Sequence, residues 1–121
     1  MFEAQLLIQG STVFSPWFPR GGDNVTATLE VVEISSATLK VELFTKNSED
    51  AGNGSNADSA GTPISISATA TGRTSATWSQ PTTSTVSIKE MVRYKFTVTG
   101  TGTNWVLFRM LPPVWFDSVE A

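Results

Sequence analysis

The 121-residue chain contains neither cysteine nor histidine. Without cysteine it has no disulfides, thiolate nucleophiles or thiolate metal ligands, and without histidine it lacks the usual general base and a common zinc ligand. The carboxylates are scattered, and Glu30, Glu33 and Glu42 lie on segments with the pattern of solvated strand faces. No pair of acids is set in an apolar segment that would raise a pKa for acid catalysis. We therefore expect no enzyme activity, no metal site and no cofactor.

Charged residues are also few, and the negative net charge is unfavourable for binding nucleic acid. Eight Lys and Arg against eleven Asp and Glu give a net charge of −3, whereas nucleic-acid binding proteins neutralise phosphates with an excess of cations. No apolar run approaches the roughly 20 residues that a membrane-spanning helix needs. The first five residues, 1–5, lack the basic leader and apolar stretch of a secretory signal. We expect a chain made in a cytoplasm that binds neither nucleic acid nor membrane.

A period of two dominates the apolar pattern. In residues 37–46, the apolar residues at positions 37 to 43 alternate with polar ones, which is typical of a half-buried antiparallel strand. The same alternation predicts strands at 2–9, 25–34, 64–71 and 92–99, with shorter ones at 11–14, 76–79 and 85–88. In the first of these, the residues expected to face inward are Phe2, Ala4, Leu6 and Ile8. Seven to nine short strands in one domain, 1–121, predict an all-β fold: an antiparallel β-sandwich or jelly roll, with immunoglobulin-like topology as one alternative.

Residues 92–98 and 105–111 read as a hairpin joined through 99–104. The return strand is unusual because both of its faces are apolar: Val106, Phe108 and Met110 lie on one side, and Trp105, Leu107 and Leu111 surround Arg109 on the other. Both faces need cover. Either a terminal segment folds over the second face or another subunit meets it.

Residues 47–62 contain no large apolar side chain, which predicts a long surface loop outside the core. Its oxygen-bearing side chains could supply ligands to Ca²⁺, namely Asp50, Asn53, Ser55, Asn56 and Asp58. Their spacing does not match a calcium-binding loop, and the same residue types are common in turns. We favour a loop without metal.

Two short segments hold aromatic residues next to prolines, at 15–19 and 112–116. Proline excludes most of these positions from the middle of a sheet, so the aromatic side chains either cap their own core or dock on a neighbour. Docking is attractive because aromatics on stiff segments are typical of interface hot spots, and Arg20 could reach a partner carboxylate. Contact segments are therefore expected at about 1–23 and 112–121. The candidate partner-binding residues are Phe14, Trp17, Phe18, Arg20, Trp105, Leu107, Arg109, Trp115 and Phe116.

With 31 Ser and Thr, no cysteine and apolar terminal segments, the chain resembles the small virion proteins of tailed bacteriophages, in particular head-decoration or cement proteins. The resemblance is of overall character, not of a motif. It implies a non-enzymatic protein of the virion that binds itself or a capsid or tail lattice at many equivalent sites, as a homo-oligomer within the assembly. Tail tube and tail-fibre proteins share this character.

The alternative is a carbohydrate-binding β-sandwich module. Exposed aromatic faces stack on sugar rings, and Trp17, Trp78, Trp105 and Trp115 could form such a platform. Burial of some of these tryptophans in the core is the competing interpretation.

Overall fold

The computed structural model describes residues 5–8, 10–59, 62–79 and 88–117. In these ranges every regular element is a β-strand, and nine strands form one antiparallel sheet while β6 and β7 form a two-stranded ribbon. The strands are β1 (Gln5–Ile8), β2 (Thr12–Phe14), β3 (Phe18–Pro19), β4 (Asn24–Lys46), β5 (Ser55–Asn56), β6 (Asp58–Ser59), β7 (Thr62–Pro63), β8 (Ser65–Ala68), β9 (Gly72–Trp78), β10 (Met91–Met110) and β11 (Val114–Phe116). The prediction of an all-β antiparallel fold is confirmed.

Two long strands form the centre of the sheet. β4 has 23 residues and β10 has 20, and they pair from Met91 opposite Lys46 to Met110 opposite Leu29. The edge of β10 that faces away from β4 pairs in turn with β1, β2 and β3. The edge of β4 that faces away from β10 pairs in the same way with β5, β8 and β9. β11 pairs with β4 beyond the end of β10. The sheet is therefore four strands wide, and its outer strands are interrupted.

An irregularity near the middle of both long strands bends the sheet. Gly100 lies opposite Ala37 and Trp105 opposite Ser35, so residues 101–104 of β10 face Ser36 alone. Ser36 has a φ of 49°, in the left-handed region, and its carbonyl accepts a hydrogen bond from Asn104 Nδ2 at 2.9 Å. Extra residues in one strand increase bending and twist. The sheet curls here into a half-barrel, with a first half (10–19, 37–46, 55–56, 65–68, 91–100) and a second half (5–8, 24–35, 72–78, 105–116).

The core lies between the two halves. Phe96 of the first half and Phe108 of the second have ring centroids 4.9 Å apart, although twelve positions of one strand separate them. Alternate residues of β4 and β10 are buried on both sides of the bend, so one face of the sheet is the inner face throughout. Burying each such side chain contributes roughly 1.5–3 kcal/mol. The largest fully buried side chains are Trp78, Tyr94, Phe108, Leu29, Leu39, Leu43, Ile66 and Met110.

The expected hairpin at 92–111 is wrong. Its two predicted strands belong to the single strand β10, and both pair with β4 instead of with each other. The Thr/Gly segment between them resembles a turn in sequence, but it forms the insertion at the bend. The predicted strands at 25–34 and 37–46 are likewise one strand, β4.

The predicted inward face of the first strand is also wrong. Leu6 and Ile8 are 60% and 62% exposed, while Leu7 packs against the core. Leu7 lies opposite the fully buried Val106, and this register turns its neighbours outward. Phe2 and Ala4 lie outside the described residues, as do most of the strand expected at 85–88.

The segment 47–62 is not entirely outside the core. β5 pairs with Phe44 and Thr45 of β4, and Ala57 is fully buried. The prediction that nothing in this segment enters the core therefore fails at Ala57, a small apolar residue.

Candidate interaction surface

The N-terminal aromatic segment packs on its own sheet. Phe14 meets Phe44 edge-on at 5.7 Å between ring centroids, and Phe18 lies 5.6 Å from Tyr94 and packs against the core. Trp17 is half-buried beside Gly54, where an added Cβ would lie 2.9 Å from the indole ring. The chain therefore supplies extensive contacts of its own to Phe14, Trp17 and Phe18.

Cations cover the outer rings of this segment. The Arg93 guanidinium carbon lies 3.8 Å from the Phe14 ring centroid and 4.4 Å from that of Trp17. Lys46 lies over Trp17 at 4.9 Å, and Lys95 lies 5.9 Å from Phe14 and 5.5 Å from Phe44. Such contacts are favourable because the ring faces carry partial negative charge. We call this surface of the first half the cationic face: Phe14, Trp17, Phe44, Lys46, Arg93 and Lys95.

Arg93 is the anchor of the cationic face. Its Nη2 donates to the backbone oxygen and to Oδ1 of Asn53, at 3.3 and 3.1 Å. Desolvation lowers the pKa of the guanidinium, and its Nε is buried without a hydrogen-bond partner. The second of these hydrogen bonds engages Asn53 Oδ1, the side-chain oxygen that was a candidate ligand for Ca²⁺. Asp50 Oδ2 likewise accepts a hydrogen bond from the backbone of Asn47.

Arg20 is held within its own chain. Its Nη1 donates to the Ile88 carbonyl at 2.7 Å, and its Nη2 forms an exposed ion pair of 3.4 Å with Asp23. The backbone N–H of Arg20 donates to the Glu90 carbonyl at 2.9 Å. The carboxylate that Arg20 reaches is therefore that of Asp23.

The two terminal segments meet. An added Cβ at Gly21 would lie 2.7 Å from ring carbons of Trp115, so only glycine leaves room for this half-buried indole. The backbone N–H of Asp23 donates to Asp117 Oδ1 at 3.2 Å. Trp115 packs against the core, whereas Phe116 is 44% exposed. The C-terminal segment thus divides into one aromatic that caps the core and one that faces outward.

The second half carries an exposed apolar surface. Leu6 pairs with Leu107 and Ile8 with Trp105 across β1 and β10, and Val32 lies nearby in β4 with 44% exposure. An open groove of about 340 Å³ lies among Leu6, Ile8, Glu33, Trp105 and Leu107. We call Leu6, Ile8, Val32, Trp105 and Leu107 the apolar face. The second face of the return strand, expected to need cover, is covered only in part: Trp105 and Leu107 are half-buried and border the open groove.

Glu33 lies within the apolar face. It is exposed, it stands opposite Leu107 in the β4–β10 ladder, and in the described part of the chain its carboxylate has no hydrogen bond or ion pair. Beside it, β1 is an edge strand that pairs with β10 on one side only among these residues. Such an edge leaves backbone N–H and C=O groups available.

An ion-paired row borders the apolar face. Glu30 accepts hydrogen bonds from Arg109 Nε at 2.7 Å and from Arg73 Nε at 2.8 Å. These two hydrogen bonds lower the pKa of the Glu30 carboxyl. Arg109, a candidate partner contact, is thus neutralised within its own sheet.

Sequence reasoning identified Trp105 and Leu107 but missed Leu6, Ile8, Val32 and Glu33. The available signal was the consecutive run Leu6-Leu7-Ile8, which leaves an apolar residue on each face of a strand whichever way it is oriented. The run at Val31-Val32 has the same property.

The four tryptophans do not form one platform. Trp78 is fully buried, Trp17 lies under Lys46 and Arg93, and Trp115 lies against Gly21. Among the four, Trp105 alone lies on the apolar face.

A cavity of about 180 Å³ opens between the halves, lined by Gln5, Ser15, Pro16, Phe96, Phe108, Arg109 and Met110. The Ser15 hydroxyl accepts from the Tyr94 N–H at 2.9 Å and donates to the Pro16 carbonyl at 3.1 Å. Both of its hydrogen-bonding functions are therefore engaged.

Within the described ranges, no group of three or more acidic residues is arranged to hold a metal ion. No helix in these ranges is long and apolar enough to cross a membrane.

No protein-family model, curated protein or solved structure matches the chain.

Proposed function

We propose that the chain is a non-enzymatic structural protein of a large assembly, most simply a phage virion protein of the head-decoration or cement type or a related head or tail protein. The apolar face is its docking surface. The observation that carries the proposal is the contiguous exposure of Leu6 and Ile8, each more than half exposed, beside Trp105 and Leu107.

The energetics favour a covered state for this surface. Single exposed apolar residues are ordinary, but a contiguous patch is typical of an interaction site. Burying one such side chain contributes roughly 1.5–3 kcal/mol, and repetition of the contact over many copies would hold the protein on a lattice. The free edge of β1 offers backbone hydrogen bonds to the same partner.

The polar groups support a structural role over a catalytic one. Arg93 and Lys46 stack on rings, Arg109 and Arg73 share Glu30, and Ser15 is hydrogen bonded on both sides. Since two sheet halves pack on one core, we also propose that the half-barrel belongs with the β-sandwiches of such proteins.

The proposal is tested by purifying virions or comparable large particles from a lysed culture of the source. We expect quantitative mass spectrometry to find this chain in many copies per particle. A chain that stays entirely in the soluble fraction would contradict the proposal.

Variants locate the docking surface in the same experiment. A chain carrying Leu6→Ser and Ile8→Ser should lose particle binding, because both changes lie on the apolar face. Val114→Ser is the matched control, since Val114 is as exposed as Ile8, at 62%, but lies on β11. Equal binding by the two variants would place docking elsewhere.

The second candidate is a carbohydrate-binding module, and Trp105 carries it. Its indole borders an open groove that also contains the Glu33 carboxylate, a combination suited to a sugar ring and its hydroxyls. Binding on a glycan array that Trp105→Ala abolishes would support this candidate. A blank array would remove it.

A further inference from the structure

We propose that the partner covering the apolar face is a second copy of this chain, which docks head to tail through its cationic face. The inference rests on the proposed assembly role and names the contact through which copies associate. It follows from the placement, the charge and the composition of the two faces.

The two faces point away from each other. The inner faces of the halves meet at Phe96 and Phe108, so the outer faces lie on opposite sides of the core. The apolar face is on the outer side of the second half, and the cationic face is on the outer side of the first. One molecule can therefore offer both faces at once, each to a different neighbour.

Their charges are complementary. Among the residues that the structure describes, the Glu33 carboxylate has no partner, and an apolar occupant alone would leave that charge desolvated and unpaired. Lys95 is its counterpart, since among the described residues it has ring contacts longer than 5 Å but no ion pair. Docking the cationic face on the apolar face brings Lys95 to Glu33 and places the cation-covered rings of Phe14 and Trp17 against Leu6 and Ile8.

A symmetric contact is disfavoured by the same charges. Apolar face on apolar face would bring two Glu33 carboxylates into one interface, and cationic face on cationic face would gather two copies of Arg93, Lys95 and Lys46. Like charges brought together in an interface oppose association. Head-to-tail contacts avoid this, and they generate rings or open chains instead of closed dimers.

Charge reversal tests the pairing in the purified chain. Sedimentation velocity over a concentration series should show wild-type oligomers larger than a dimer. Glu33→Lys alone and Lys95→Glu alone should each weaken self-association by about 10-fold or more, because each places like charges in the interface. An equimolar mixture of the two variants should restore it, since the lysine introduced at position 33 would then meet the glutamate introduced at position 95. Circular dichroism confirms that each variant is folded.

Cysteine cross-linking fixes the geometry, and the chain has no native cysteine to interfere. A mixture of Glu33→Cys and Lys95→Cys chains should form a disulfide-linked heterodimer on mild oxidation. Each variant alone should cross-link weakly. Dominant cross-linking of Glu33→Cys with itself would overturn the head-to-tail proposal in favour of a two-fold contact.

Different experimental outcomes would contradict this proposal and the proposed function. A wild-type chain that stays monomeric at its solubility limit and gives no mixed cross-link would overturn the second-copy proposal. If that monomer still occurred in many copies in purified particles, the assembly role would stand with a different partner on the apolar face. Oligomers that form in solution with no chain in any particle would support the head-to-tail contact and contradict the virion role.

Discussion

On the outer side of the first half, aromatic side chains are covered by cations of the same chain, whereas on the outer side of the second half, aliphatic side chains and Trp105 are not. Arg93 lies 3.8 Å from the centre of the Phe14 ring, while Leu6 and Ile8 are each about 60% exposed. Both surfaces flank the same core and have similar strand geometry. The difference separates a surface whose aromatic rings are in contact with cations of the same molecule from one whose aliphatic side chains are exposed.

If the inner face that the two halves share supplies most of the stability, replacing Phe108 should have the largest effect on the free energy of unfolding. Phe108→Ala should destabilise the fold by about 3–5 kcal/mol, because it leaves a cavity where Phe108 meets Phe96. The adjacent Leu107→Ala, on the apolar face, should cost less than about 1 kcal/mol. Urea denaturation measures both. Equal losses would mean that the apolar face is already part of a folded core.

Arg93 tests whether the cationic face is completed within one molecule. Arg93→Ala should cost about 1–3 kcal/mol, since it removes two ring contacts and the hydrogen bonds to Asn53. Arg73→Ala is the control, because the Arg73 side chain is 63% exposed and an exposed ion pair such as that with Glu30 contributes little to stability. Thermal unfolding of the two variants compares them. A smaller loss for Arg93→Ala than for Arg73→Ala would contradict the contrast between the faces.

The buried hydroxyl of Tyr94 tests how polar groups affect stability on the inner face of the first half. This hydroxyl is buried and has no hydrogen-bond partner among the residues that the structure describes, and burial raises the pKa of the phenol. Tyr94→Phe removes the unsatisfied group and keeps the ring contacts with Phe18 and Phe96, so stability should stay level or rise by up to about 1 kcal/mol. A clear fall in melting temperature would show that the hydroxyl is satisfied.

The smallest effect is expected at the border of the apolar face and depends on pH. Hydrogen bonds from Arg73 and Arg109 lower the pKa of Glu30 from its ordinary 4.5. The stabilisation is therefore complete above that value and is lost as the pH falls through the lowered pKa. The stability difference between wild type and Glu30→Gln should shrink between about pH 6 and about pH 3. A difference that does not change over this range would mean that the ion-paired row adds nothing to folding.

The sequence was informative where apolar residues strictly alternate. The strands at 37–46 and 92–98 could be predicted because only one orientation of each buries its apolar residues. At Leu6-Leu7-Ile8 both orientations expose an apolar residue, so the choice depended on pairing with β10, which is not local information. The Gly100 to Trp105 segment has the composition of a turn, and only the opposing strand makes it a bend.

The candidate site was harder to predict than the fold. Proline-held aromatics at Trp17 and Trp115 look the same whether their own chain or a neighbour covers them, because the hydrophobic effect has no direction. The covering groups, Arg93 for Trp17 and Gly21 for Trp115, are distant in sequence. The exposed apolar surface therefore lies at Leu6, Ile8 and Trp105, and not at the proline-held segments where contacts were predicted.

The most direct test of the docking surface is sedimentation velocity of three purified chains over the same concentration range. Wild type and Val114→Ser should associate as concentration rises, whereas the Leu6→Ser, Ile8→Ser chain should remain monomeric with a melting temperature close to that of wild type. Self-association of the Leu6→Ser, Ile8→Ser chain as strong as that of wild type would contradict the claim that copies of this protein associate through the apolar face.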